Sequence, residues 1–273
     1  MSAWQEVADR VFVRRYEVLD QSIGAIVGSE GVVVVDTRST HVQADELLRE
    51  VRDLTSAPIS VVNTHHHWDH TFGNARFLPS PIWGHARCAE VLRTDGEAMR
   101  RRIMTARPDL AAELAEVVIT PPDRLLDETA SLQLGDRVVE LRYLGHGHTD
   151  NDIVALVPDA GVLFAGDLLE NGAPPSFGDA YPLAWSETVA ERLLPLVRDV
   201  VVPGHGDPAG RDFAERQSGE LALLAELIRS SLSGVIGLEE VLAASPYPAE
   251  VTRVAVDRGH REVENPPHHP RGG

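Results

Sequence analysis

His65, His67, Asp69 and His70 stand in one short run, His65-His66-His67-Trp68-Asp69-His70. Imidazole and carboxylate are the ligands that zinc and other borderline divalent metals take. In an extended stretch residues i and i+2 point the same way, so His65 and His67 can grip one ion while His66 points elsewhere. Asp69 and His70 come where the chain turns, and can reach a second ion nearby. The bland alternative, a group of solvated loop histidines, fits a lone histidine better than this spacing. Three further candidates share the same context. His148 lies in Leu144-Gly145-His146-Gly147-His148-Thr149, Asp167 in Leu163-Phe164-Ala165-Gly166-Asp167, and His205 in Val202-Pro203-Gly204-His205-Gly206. Each closes or follows a predicted strand, where ligands collect in open sheets, and the neighbouring glycines let the backbone bend to present the side chain.

The elements that must position these residues are legible from patterning. Arg10–Val18 reads as a strand. Ile23–Val27 and Val32–Val35, joined at Gly28-Ser29-Glu30-Gly31, read as a hairpin. Four consecutive valines fit a strand covered on both faces. Val42–Leu54 has helical spacing, and Ile59–Val62 runs straight into the histidine run. From about His85 to Val118 the chain reads as mainly helical. Arg137–Tyr143, then Ile153–Val157 with Val162–Ala165, restore the strand pattern. Trp185–Val197 and Phe213–Leu232 read as helices flanking a strand at Val200–Val202. Two strand-rich halves, each with helices, are buried best as two sheets face to face with helices outside. The predicted domain is single, residues 1–263, with a helical insertion at about 85–118. Residues 264–273, rich in proline, read as a flexible tail.

In order and local context, Thr64-His65-x-His67-x-Asp69-His70, His148, Asp167 and His205 resemble the metal-site motifs of the metallo-β-lactamase superfamily, and Asp36 at the end of the valine strand resembles its first motif. The resemblance spans Gly31 to Gly206. It implies a four-layer αββα sandwich with mixed sheets and a dinuclear site. His65, His67 and His148 would bind one ion, and Asp69, His70 and His205 the other, with Asp167 bridging and Asp36 in support. Two Zn2+ per chain are implied, and iron or manganese would suit the same donors. The chemistry implied is hydrolysis of an ester, lactone, thioester or amide, β-lactams included, by a metal-bound hydroxide whose pKa falls from about 15.7 towards neutral. Asp69 and Asp167 would then be the catalytic carboxylates. The run His65–His70 resembles that of glyoxalase II. Gly147–Asp152 and the long loop after Asp167 resemble a broader β-lactamase-like group. Asp167 stands where the cysteine-containing zinc β-lactamases place a metal-binding cysteine, so antibiotic hydrolysis is not the expected natural role.

Other residues carry two-sided readings. Asp150 and Asp152 either donate a proton to a leaving group, hold His148, or shape a turn. The Gly- and Pro-rich segment Leu168–Pro182 carries Phe177 and Tyr181 as candidate substrate contacts, since long structured loops in compact domains are usually functional. The stretch Met99–Leu114 either roofs the site or packs as an outer layer. The lone cysteine, Cys88, excludes an internal disulfide and a thiolate cluster, and reads as a buried structural thiol.

All 25 basic residues are arginine, which excludes Schiff-base and P-loop lysines. A net charge of -17 argues against nucleic-acid and anionic-membrane partners. The expected partner is a small-molecule substrate. A homodimer is compatible with the sequence without being demanded by it. The N-terminal residues lack the pattern of a signal peptide and no apolar run reaches the ~20 residues of a membrane span, so a cytoplasmic location is expected. Three other functions compete. The nearest is an iron-dependent oxidoreductase of the same fold, resembling persulfide dioxygenases. Nucleic-acid processing is opposed by the charge, and a non-catalytic scaffold by the complete ligand set.

Overall fold

The computed structural model describes residues 4–264. Two sheets organise them. The first runs β1 (Gln5–Ala8), β2 (Val11–Arg15), β3 (Ser22–Val27), β4 (Val32–Val35), β5 (Ile59–Val62), β6 (Ile82–His85) and β7 (Arg124–Leu126), paired in that order. It is antiparallel up to β4 and parallel from β4 to β7. The second has the order β12-β11-β10-β9-β8, with β8 Thr129–Gln133, β9 Val138–Tyr143, β10 Ile153–Val157, β11 Val162–Glu170 and β12 Val200–His205. Only β11 and β12 are parallel there.

The facing sheets share one apolar layer. Val13, Ile26, Val33, Val35 and Val62 of the first meet Val139, Leu141, Ile153, Phe164 and Val202 of the second. The other face of the first sheet is closed by α1 (His41–Leu54) through Ala44, Leu47 and Val51, which recur with helical period. That explains why every valine of β4 is buried: one face meets α1 and the other meets the second sheet. The outer face of the second sheet is covered by α5 (Pro182–Glu187), α6 (Arg211–Leu232), α7 (Leu238–Ala244) and α8 (Ala249–Glu264). The result is the expected helix–sheet–sheet–helix stack. The short α2 (Trp68–Thr71), then α3 (Ala86–Ala106) and α4 (Ala111–Ala115) lie between β5 and β7, with Phe72, Cys88, Leu92, Met99 and Leu114 forming a cluster of their own. Cys88 is fully buried there, and its surroundings push its thiol well above the ordinary range, as an inert structural cysteine requires.

Several boundaries differ from the pattern reading. Arg10–Val18 is not one strand: β1 and β2 pair as a hairpin and a short 3-10 turn follows at Val18–Asp20. The helix expected at Trp185–Val197 starts at Pro182, whose fixed φ suits a first helical position, and loosens into π and 3-10 turns before Val197. Strand β11 continues past Ala165 to Glu170, so Asp167 lies inside a strand rather than at its end. Gly166 takes φ +55, against the side chain of Thr64, and the β11–β12 register shifts on either side of it. That bulge breaks the alternation on which the pattern reading rests, and it re-aims Asp167. Glu264 is the last residue of α8; the rest of the expected tail lies outside the described residues.

Candidate metal centre

Strand β5 delivers the histidine run. At its end Thr64 is tied to Asp36, the residue following β4: Thr64 N donates to Asp36 Oδ1 (2.8 Å) and Thr64 Oγ1 to Asp36 Oδ2 (2.8 Å). Having given its only proton to Asp36, Thr64 Oγ1 accepts from His65 Nδ1 at 3.0 Å. The lone pair of His65 therefore sits on Nε2, facing inward. Asp36 Oδ2 also accepts from His70 Nδ1 (2.8 Å), which fixes His70 the same way. His148 Nδ1 donates to the carbonyl of Ser176 (3.1 Å) and His205 Nδ1 to that of Leu19 (2.7 Å). In each case the outer nitrogen carries the proton and the inner one is free to ligate.

The inner nitrogens converge as two sets. His65 Nε2 lies 3.0 Å from His67 Nδ1, which is 2.9 Å from His148 Nε2. His70 Nε2 lies 3.3 Å from His205 Nε2, with Asp69 Oδ2 at 3.6 and 3.5 Å from them. Between the sets stands Asp167. Its Oδ2 is 3.4 Å from His148 Nε2 and 3.3 Å from His205 Nε2, and its Oδ1 is 3.3 Å from His70 Nε2. The donor atoms of His65, His67, His148 and Asp167 lie within 4.8 Å of one another, as do those of Asp69, His70 and His205.

Imidazole lone pairs pointed at one another across 3 Å repel unless a cation lies among them. Asp167 adds a second sign of fit: it is 4% exposed, and its Oδ1 meets among the described residues no hydrogen-bond donor other than His70 Nε2 at 3.3 Å, whose proton a bound metal would replace. A buried carboxylate oxygen left unpaired is costly, and a metal ion removes the cost. The field agrees. Burial lowers the proton affinity of His205, but Asp167 and Asp69 outweigh it and raise the ring to about 10. Burial instead dominates at His148, which falls to about 4 and is a neutral ligand. The carboxylates thus draw positive charge to this place: without a metal the ring of His205 takes it as a proton, while His148 stays neutral.

Residues that pattern reading did not single out complete the ring of supports. His67 Nε2 faces Asp179 at 3.1 Å, and His66 Nε2 approaches the same carboxylate at 3.3 Å. Burial opposes the charge of Asp179, but His67 and His66 hold its carboxyl well below the usual range. Asn151 Nδ2 donates to His66 Nδ1 (2.8 Å), so His66 stands outside the two ligand sets and links Asn151 to Asp179. The buried amide of Gln21 donates to the carbonyl of Asp69. Asp179 sits in a segment already marked as functional by its length and composition. Ser176 sits in the same segment but acts through its backbone carbonyl, which no side-chain pattern marks, and Gln21 carried no signal because it acts far along the chain.

The remaining candidates divide. Neither Asp150 nor Asp152 holds His148. Asp150 pairs with Arg87 (2.9 Å), and Asp152 accepts from Thr149 N (2.6 Å), shaping the loop below His148, with burial pushing its carboxyl up to about 7. Phe177 is not a substrate contact: it is buried among Trp185 and Tyr247, with ring centroids 5.2 and 6.0 Å away. Tyr181 does line the cavity above the two ligand sets, as does the face of α3 carrying Met99 and Ile103. That cavity holds about 800 Å³ and also includes Trp68, Val91 and Asp179.

The family model "Metallo-beta-lactamase superfamily" matches residues 16–205. The chain belongs to that superfamily. It is by membership a metallohydrolase. Among its superfamily relatives, the metallo-β-lactamase type 2 of Bacteroides fragilis is 26% identical over 77% of this chain and 81% of its own length. The human acyl-coenzyme A thioesterase MBLAC2 is 28% identical over 70% of this chain and 75% of its own. The linear primary-alkylsulfatase of a Pseudomonas strain is 25% identical over 68% of this chain but only 42% of its own length. Among solved structures, DIM-1 metallo-β-lactamase superposes with a TM-score of 0.63 at 17% identity, covering 80% of this chain and 95% of that one. The sec-alkyl sulfatase PisA1 superposes with a TM-score of 0.75 at 15% identity, covering 99% of this chain and 51% of that one. These superpositions confirm the superfamily fold. Among the described residues no helix is long and apolar enough to cross a membrane.

Proposed function

We propose that the chain hydrolyses an acyl bond of a small molecule at a dizinc site, the acyl group being an ester, lactone, thioester or amide that carries an apolar arm. The observation that carries this reading is the pair of converging ligand sets joined by Asp167 at the floor of the cavity. Two bound divalent cations supply Lewis acidity and water of lowered pKa. His65, His67 and His148 would hold one, Asp69, His70 and His205 the other, and Asp167 both. The protein's own part is to keep those donors aimed. Asp36, Thr64, Ser176, Leu19 and Asp179 fix the outer ring nitrogens, so no ligand has to reorganise during turnover. No separate nucleophilic side chain is required.

The cavity supports the apolar arm. Val91, Met99 and Ile103 recur at helical spacing on the wall formed by α3, with Trp68 beside them, and Asp95 and Arg102 of the same helix give that wall a charged margin. The human thioesterase and the Pseudomonas sulfatase are named for acyl and alkyl substrates, which agrees with such a wall. The test is a panel of zinc-loaded assays on short- and long-chain esters, thioesters, lactones, β-lactams and alkyl sulfates. The reading expects the highest kcat/KM on a long-chain acyl substrate. Turnover of alkyl sulfates alone would overturn it, because the bond broken would then belong to a sulfate ester and not to an acyl group. Ile103→Asp, on the half-buried part of that wall, is expected to cut kcat/KM for an octanoyl ester by about tenfold while an acetyl ester is unaffected. Equal losses on both esters would show that the wall does not hold the chain. Growth in iron-replete medium with iron as the dominant bound metal would move the assignment to oxygen or persulfide chemistry.

A further inference from the structure

The family match ends at residue 205, and α8 lies beyond it. Yet α8 reaches the centre through the segment between β11 and α5. Arg258 Nη2 donates to the carbonyl of Asp179 (2.7 Å) and Arg258 Nε to that of Ala180 (2.9 Å). Its guanidinium also lies over the ring of Tyr181, 5.7 Å from the centroid. One turn further on, the buried Glu262 accepts from Leu183 N (2.9 Å) and Ala184 N (2.8 Å), the first free donors of α5. The segment so held does two things at the metal centre: Asp179 takes the outer nitrogen of His67, and the Ser176 carbonyl takes that of His148. Two of the three histidines in the first set therefore owe their orientation to one loop, and α8 grips that loop at both carbonyls and amides.

We infer that Arg258 and Glu262 are positioning residues for the first metal site, acting through the loop that carries Ser176 and Asp179. A planar guanidinium suits the task, because it donates to two adjacent carbonyls in a fixed fork that an ammonium cannot match. Arg253, exposed on α8, pairs instead with Glu239 on the surface (3.4 Å).

The inference rests on the proposed dizinc site, and its test separates the two. The full-length protein is studied in a His205→Ala background, which leaves only the first set complete. Zinc affinity is measured by competition with a chromophoric chelator, and coordination by the visible spectrum after loading with cobalt(II). Arg258→Ala is expected to weaken zinc by about tenfold or more and to shift the cobalt bands, as loss of an outer support does. Glu262→Gln is expected to do so less, Arg258→Lys to recover part of the loss, and Arg253→Ala to change neither readout. If Arg258→Ala fails to fold, Arg258→Lys and Glu262→Gln carry the same comparison with volume preserved. Zinc affinity within about twofold of the parent and an unchanged cobalt spectrum in the folded variants would overturn the inference and leave the dizinc reading intact. A wild-type chain that takes up no zinc would instead sink the dizinc reading.

Discussion

Replacing Gly204 by alanine will disable the metal centre without altering a single ligand. A Cβ at this position of β12 collides with Asp167 Oδ1 and comes within 3.1 Å of Asp167 N, so the carboxylate has to leave its place between the two sets. The strand cannot yield easily, since Val201, Val202 and the whole of β11 are buried around it. A displacement of an ångström at a reacting centre costs on the order of 100-fold in rate, and the expected loss of kcat/KM is at least that. Bound metal should fall in parallel, because Asp167 faces both sets. Gly219→Ala is the control: its Cβ meets nothing within 4 Å on the surface of α6, and a helical alanine should leave activity untouched. Retention of full metal content and activity in Gly204→Ala would show that the place of Asp167 between the two ligand sets does not matter to the centre.

Asp36→Ala is expected to be nearly as damaging from farther away. Asp36 touches no inner nitrogen, yet its two oxygens accept from Thr64 N, Thr64 Oγ1 and His70 Nδ1. Through Thr64 it also sets His65, so one carboxylate orients a ligand of each set. It is 1% exposed, and deleting it strands buried donors at roughly 1–3 kcal/mol each. It also occupies φ 66, a left-handed conformation that aspartate and asparagine tolerate better than alanine. Thermal unfolding of the metal-free variant should therefore shift down, and metal affinity should fall about 10- to 100-fold. Asp36→Asn should recover most of the stability, since an amide oxygen still accepts from Thr64 N, but not the orientation of His70. Wild-type affinity in Asp36→Ala would contradict this coupling.

What the sequence reveals and conceals about this centre follows from the range over which each interaction acts. The ligands His65 to His70 are legible because they share one strand end, where a two-residue period puts His65 and His67 side by side. His148, Asp167 and His205 are legible because strand and glycine flank each in sequence. Asp36 is legible as the polar residue that stops a run of four valines. The supports from Gln21, Ser176, Leu19 and Arg258 are not, because they close contacts across 28 to 186 residues, often through a backbone atom whose side chain is irrelevant. Phe177 shows the opposite failure: a loop aromatic reads as a substrate contact until its packing on Trp185 and Tyr247 is known. The extension of β11 was hidden by Gly166, since a bulge removes the periodicity by which strands are recognised. Helix α8 carries a good amphipathic pattern, with Thr252, Ala255, Val256 and Gly259 buried on one side, but its role depends on a loop over seventy residues earlier.

The metal content of the purified chain, measured by elemental mass spectrometry beside Asp167→Ala, tests the two-set metal centre most directly. Two zinc ions per chain, with loss of both or of all but a trace in the variant, is the result expected of two ligand sets joined by one carboxylate. A wild-type chain that holds no stoichiometric metal after expression in metal-replete medium would contradict the account, as would a variant that keeps both ions.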